Sequence, residues 1–262
     1  MKYSSDSIRT LADLAKLLAG SPAPVVLLEG SRALPAELYP ALTALGRLLA
    51  ERLPSVRFRS GNAVGTDTAF AEGVAAVAPE RMEYVITNAG MGRKRRIAGC
   101  RVVTLDDLSP EAAERIIDLS RTAASAARVI EAYRTYGSKN VVGSKGAYLV
   151  RDTLKVVGDP ANGLAPATAG LFFVREADPL SGGTGHTIRV CLEHNVPVVT
   201  QSVWLHWRRH GYRDRAQVPG HPVSAQYFIK FTLEQILERP LPAKQGNRTH
   251  VHDPPEPRAG VF

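Results

Sequence analysis

Three stretches of this 262-residue chain gather side chains that can do chemistry, and each sets them around glycine. They read Glu29-Gly30-Ser31-Arg32, Ser60-Gly61-Asn62-Ala63-Val64-Gly65-Thr66-Asp67 and Ser181-Gly182-Gly183-Thr184-Gly185-His186-Thr187. Glycine lets a ligand approach the main chain, free N–H groups bond an anion, and the positive end of a following helix favours it. Arg32 adds a planar cation suited to phosphate. The expected chemistry is the holding of a phosphorylated ligand by Gly30, Ser31, Arg32, Ser60, Gly61, Asn62, Gly65, Thr66, Ser181, Gly182, Gly183, Thr184, Gly185 and Thr187. Two titratable groups sit among them. Asp67 falls in the first turn of an expected helix, where it caps backbone N–H groups, accepts from a ribose or serves as a base. His186 is a candidate acid or base, or a hydrogen-bonding residue.

Further cations lie nearby. Arg93, Lys94, Arg95 and Arg96 follow a glycine-containing turn, where they would close over an anionic ligand, touch a nucleic-acid backbone or remain a solvated loop. The stretch 137–145, with Lys139 and Lys145 beside glycine and serine, reads as another ligand loop or a flexible connector. Trp204, Trp207, Arg208 and Arg209 read as an aromatic-basic surface or as packing residues.

The elements that must position these groups follow from periodicity. Ile8, Leu11, Leu14, Leu17 and Leu18 mark a packing helix over 5–19, with Ser5-Asp6-Ser7 as its cap. The apolar run 25–28 and the segments 56–59, 84–87, 101–105, 171–174 and 196–200 read as strands. Helices are expected over 36–53, from 68 onward, over 110–133 and over 187–194, with 147–157 a short element and 227–237 a closing helix. Strand, glycine turn and helix thus recur three times. That pattern predicts an α/β fold: a doubly wound, mostly parallel Rossmann-like sheet with helices on both faces and its ligand loops at one edge. We expect a single domain over 1–240 and a mobile tail over 241–262, where proline and charge replace periodicity.

Composition bounds the function classes. Hydrophobic residues at 44% suffice for a sizeable core. No apolar stretch is long enough for a membrane span and the N-terminus lacks signal-peptide design, so a soluble, cytoplasmic protein is expected. Cys100 and Cys191 lack metal-ligand spacing, and no metal or required cofactor is expected. The net charge of +8 permits attraction to nucleic acid or anionic metabolites without deciding between them. No Gly-x-Gly-x-x-Gly with a later acidic residue follows the first strand, which disfavours ordinary NAD binding; a Walker lysine motif and a Gly-x-Ser-x-Gly elbow are also lacking.

Gly30-Ser31-Arg32, residues 60–67 and Asp178-Pro179-Leu180-Ser181-Gly182-Gly183-Thr184 resemble the signature loops of the SLOG superfamily. These Rossmann-like domains include the DNA-processing protein A (Smf) family, the YspA-like proteins and the Lonely Guy phosphoribohydrolases. The resemblance covers roughly residues 25–200 and implies a nucleotide or nucleotide-derived ligand. The second loop is most similar to the DNA-processing branch, whose members bind single-stranded DNA. Where the Lonely Guy motif has threonine and glutamate, this chain has His186 and Arg189, which disfavours phosphoribohydrolase chemistry unless Asp67 or Glu72 substitutes. Three expectations follow: a nucleotide-binding or nucleotide-sensing protein; an N-glycosidic hydrolase using Asp67; or a single-strand-binding protein using 93–96 and 204–209. Self-association through 110–133 is left open.

Overall fold

A computed structural model describes residues 7–123, 127–175 and 177–207. Six parallel strands form one sheet in the order β4-β3-β2-β1-β5-β6: β1 Val25–Gly30, β2 Arg57–Ser60, β3 Met82–Ile86, β4 Arg101–Thr104, β5 Ala169–Phe173 and β6 Val198–Thr200. The chain runs outward from β1 to β4, then returns to lay β5 against the other side of β1, pairing Leu28 with Leu171 and Gly30 with Phe173. This reversal is the switch point at which open parallel sheets leave a crevice beyond their carboxyl ends. The expected doubly wound α/β fold is present.

Helices cover both faces of the sheet, and β1 is buried along its whole length. Val26 and Leu28 pack with α1 (Leu11–Ala19), α2 (Tyr39–Arg52) and α3 (Thr66–Ala75). Leu27 and Phe172 meet α7 (Gly182–Glu193) on the opposite face, where Val85 and Val103 meet α4 (Pro110–Ala123), α5 (Ala127–Tyr136) and α6 (Val141–Val157). α8 (Gln201–Trp204) follows β6. No helix among the described residues is long and apolar enough to cross a membrane.

Several local expectations need correction. The first helix starts at Leu11 rather than near residue 5, because Thr10 and Asp13 form a reciprocal capping box. The expected helix over 110–133 is instead a hairpin of α4 and α5: Arg134 pairs with Glu114 at 3.2 Å and with Asp118, 16 residues away in sequence. A continuous helix would separate those last two by about 24 Å. Folding back lets Ile116 and Ile130 both reach the cluster shared with α6. The loop expected over 137–145 is largely helix, because the Asn140 side chain caps α6 by accepting from Gly143 N at 2.7 Å. Trp204 and Trp207 are buried against the α3 side of the sheet; Trp204 donates to Phe172 O at 3.2 Å and meets Phe70 edge-on. Arg208 and Arg209, the closing helix and the tail lie outside the described residues, as do the domain limits expected there.

Candidate functional site

The three glycine turns meet at the carboxyl ends of β1, β2 and β5. Ser31 N donates to Phe173 O at 2.9 Å, joining the first turn to β5. Thr66 Oγ1 donates to Ser31 O at 2.9 Å, tying α3 to the first turn, and Thr184 Oγ1 donates to Gly30 O at 3.1 Å, tying α7 to it. Gly65 has φ +83°, and a Cβ there would lie 2.5 Å from Arg32 O, so only glycine lets the first and second turns touch.

Within the second turn, Asp67 Oδ2 accepts from Gly61 N at 3.1 Å and Ala63 N at 3.2 Å, while Ser60 Oγ accepts from Asn62 N at 3.2 Å. Asp67 thus caps the loop that precedes its helix. The basic turn is strapped alongside: Asn62 Nδ2 donates to Gly92 O at 3.1 Å and the Arg95 guanidinium donates to Asn62 O at 3.0 Å. Arg96 is spent on Ala89 O and Met91 O. Of the four expected nucleic-acid contacts, Arg93 and Lys94 alone are both exposed and without a side-chain partner among the described residues.

In the third turn, Ser181 does not cap α7. Its hydroxyl donates to Asp178 O at 2.9 Å and accepts from Arg175 at 2.8 Å. The N–H groups of Gly182, Gly183 and Thr184 therefore have no partner among the described residues, and both glycines are exposed. Thr187 is buried and donates to Gly183 O at 3.1 Å. Arg189 braces the turn through Leu180 O at 2.9 Å and Ala123 O at 3.0 Å. Asn62, Thr66, Thr184 and Thr187 thus serve as struts; the outward parts are main chain, Ser31, and the exposed Arg32, which has no side-chain partner among the described residues.

Beneath these turns lies a buried charged floor that the sequence reading missed. α6 lays Arg151, Asp152 and Lys155 against the sheet, all buried. Arg151 donates to Gly61 O at 2.7 Å and contacts Asp152 Oδ1 at 3.0 Å; Lys155 Nζ bridges Asp152 Oδ1 at 2.8 Å and Glu29 Oε1. Next to it, fully buried Arg59 donates to Glu83 Oε2 at 2.8 and 3.0 Å and to Lys155 O at 2.8 Å. His186 is buried too, its Nε2 3.0 Å from Thr153 Oγ1, which in turn accepts from Ser120 Oγ at 2.8 Å. The signal was present in residues 147–157: three charges at i, i+1 and i+4 set among mainly apolar residues, which burial tolerates only if they are paired in place.

Burial pushes Glu29 up to about 7, with Lys155 opposing and the charges of Asp67 and Asp152 adding to the rise. It pushes Asp67 up as well, Lys155 and Arg151 pulling part of the way back. Burial also works against the charge on Asp152, but Arg151 and Lys155 outweigh it and hold that carboxyl below its usual range. His186 is pushed down to about 4 by burial and is neutral at pH 7.

These shifts have opposite consequences for stability. Unfolded Glu29 releases its proton near 4.5 and folded Glu29 near 7, so the native state binds more protons in that window and stability falls as pH rises through it. For His186 the unfolded value is 6.5 and the folded value about 4, so stability rises with pH across that interval. Relative to wild type, Glu29→Gln should therefore gain stability progressively from pH 4.5 to 7, and His186→Gln should lose it progressively from pH 4 to 6.5. Urea denaturation in steps of pH measures both differences; a pH-independent difference for Glu29→Gln would show that its carboxyl is not held against ionisation.

Two other features lie away from this edge. A cavity of about 340 Å³ lined by Leu18, Pro22, Pro24, Ser55 and Arg57 sits at the amino ends of β1 and β2. Among the described residues no group of three His, Cys, Asp or Glu side chains is arranged to hold a metal ion. In comparisons with known proteins, no family model, curated protein or solved structure matches the chain.

Proposed function

We propose that the carboxyl edge of the sheet binds a nucleotide or nucleotide-derived ligand, with its phosphate on the main-chain N–H groups that open α7 and on Arg32. One observation carries this reading. Three glycine-bearing turns from β1, β2 and β5 are knitted together at the switch point while the N–H groups of Gly182, Gly183 and Thr184 stay unspent among the described residues. Such N–H groups with the helix dipole favour an anion, and a switch-point crevice is where parallel sheets take ligands. The resemblance of the three turns to SLOG loops supports the same class of ligand, and binding or sensing needs no further residue.

A thermal-shift screen against nucleoside mono-, di- and triphosphates, cyclic nucleotides and a short single-stranded oligonucleotide tests it. A ligand at a hundred times its dissociation constant stabilises the fold by about 2.7 kcal/mol. Arg32→Ala should weaken the nucleotide found by about tenfold or more, as loss of a charge-assisted contact does. Stabilisation by the oligonucleotide alone would replace this reading with single-strand binding, release of free base would make the site that of an N-glycosidic hydrolase, and no stabilisation by any of them would overturn it.

A further inference from the structure

The buried floor cannot balance its own charge with every member ionised. Three carboxyl groups, Glu29, Asp67 and Asp152, face two cations, Arg151 and Lys155, and all five side chains are buried. Arg59 nearby is already answered by Glu83, so it offers this group nothing further. Full ionisation would leave one carboxylate without a cation, in a place where burial makes an unpaired charge costly. One proton removes the excess.

The contacts decide which carboxyl holds that proton. Asp67 accepts from the main-chain N–H groups of Gly61 and Ala63, which favour its ionised form. Asp152 lies 3.0 Å from the Arg151 guanidinium and 2.8 Å from Lys155 Nζ. Glu29 meets Lys155 alone among the described residues, and shares that ammonium with Asp152. It is the least supported anion of the three, and burial holds its proton to about 7. Around it α6 supplies Lys155, Asp152 and, beside Asp152, Arg151; α3 supplies Asp67; Arg59 on β2 donates to Lys155 O. From α7 come Cys191 and, near Asp152, His186; burial pushes the thiol up and the imidazole down, so both stay uncharged near pH 7.

Glu29 also stands directly under the ligand edge. It precedes Gly30, whose carbonyl accepts from Thr184 Oγ1 of α7 at 3.1 Å, and Thr184 N is among the N–H groups left for an anion. An anion there and an ionised Glu29 repel each other through a buried, poorly screened medium. We infer that the floor is a proton-linked regulator of this edge: an anion bound on the turns draws a proton from solvent onto Glu29, and the edge holds anions more tightly as pH falls. This rests on the anion site of the nucleotide reading above and adds its regulation. Charge fixes the sign. Protonated Glu29 leaves Asp67 and Asp152 matched by Arg151 and Lys155, whereas ionised Glu29 adds the unmatched charge beneath the anion. Affinity is therefore greatest below about 7 and declines as pH rises through it.

Sulfate is the probe, because it keeps the same charge across the neutral range. Calorimetric titration of the full chain at constant ionic strength should show sulfate binding about threefold or more tighter at about pH 5.5 than at about pH 8.5. Titrations near pH 7 in two buffers of different ionisation heat should show proton uptake on binding. In Glu29→Gln, which stays uncharged throughout, the affinity at the higher pH should rise to the low-pH value of wild type and the uptake should vanish. Arg32→Ala should weaken sulfate at both pH values, which ties the signal to this edge rather than to general surface charge. Equal wild-type affinity at the two pH values, absence of proton uptake, or a pH dependence that Glu29→Gln leaves unchanged overturns the linkage and leaves the anion site standing. The wild-type proton count decides the matter if Glu29→Gln fails to fold. Absence of sulfate binding at both pH values overturns the linkage together with the anion site.

Discussion

Replacing Lys155 by methionine should lower the stability measured in urea at pH 8 by about 3–5 kcal/mol, the cost of breaking a buried ion pair from one side. Lys155 is 2% exposed, and its ammonium is shared by Glu29 and Asp152. Methionine keeps most of the volume and the apolar stem but leaves Glu29, Asp67 and Asp152 facing Arg151 alone. Uncompensated carboxylates in such a place escape their desolvation cost by taking up protons. The deficit should accordingly shrink as pH falls, since Glu29 already holds its proton to about 7 with the lysine present. Adding Glu29→Gln to Lys155→Met should recover part of the loss, a coupling that a double-mutant cycle reads directly. A deficit under about 1 kcal/mol at pH 8, with no pH dependence, would mean that the three carboxylates are not gathered around this lysine.

The fold was legible because its signals are local and redundant. Continuous apolar runs such as Val25-Val26-Leu27-Leu28 are written by strands buried on both faces, and glycine turns between them and amphipathic runs mark parallel crossovers. What failed was punctuation that depends on partners distant in sequence. Nothing between Pro110 and Tyr133 is a proline or glycine, so periodicity alone extends one helix across it; the turn is fixed by Arg134 reaching Asp118 and by Ile130 reaching the α6 cluster. Residues 137–145 look like a glycine loop until Asn140 is seen to cap a helix whose Gly143 and Gly146 pack against Gly137 O and Val129 O.

The candidate site divides along the same line. Its turns were legible as glycine with hydroxyls, although several of those hydroxyls, on Thr66, Thr184 and Thr187, bind neighbouring carbonyls. Its floor was illegible because a buried charge looks like an exposed one in sequence. Arg59 in a central strand is tolerable only through Glu83 on the adjacent strand and the carbonyl of Lys155, 96 residues later. Asp152 and Lys155 gain meaning only when α6 is laid across β1. The available clue is that Arg151, Asp152 and Lys155 stand among apolar neighbours in that helix, where burial requires each charge to be paired.

Gly185→Ala should cost about 2–3 kcal/mol, through collision rather than conformation. A Cβ at 185 would lie 1.8 Å from Leu180 O and 1.9 Å from Leu180 C, both main-chain atoms of the turn that carries α7 into the site. Neither can swing aside as a flexible side chain would, so α7 must lift from the turn that Arg189 braces, and ligand binding should fall with stability. The two glycines before it have different reasons to be glycine. Gly182 has φ +62° with open space around it, so alanine there should cost about 1–2 kcal/mol of backbone strain. Gly183 carries no such strain, but a Cβ there would lie 2.9 Å from the carboxylate of Asp152, which is buried and held by Arg151 and Lys155, so its alanine variant should cost about 1 kcal/mol. Chemical denaturation of the three variants should therefore find Gly185→Ala the most destabilised, with smaller losses at Gly182 and Gly183. A glycine loop conserving mere flexibility would give three similar small losses; the unequal set follows only if each glycine answers to a different neighbour.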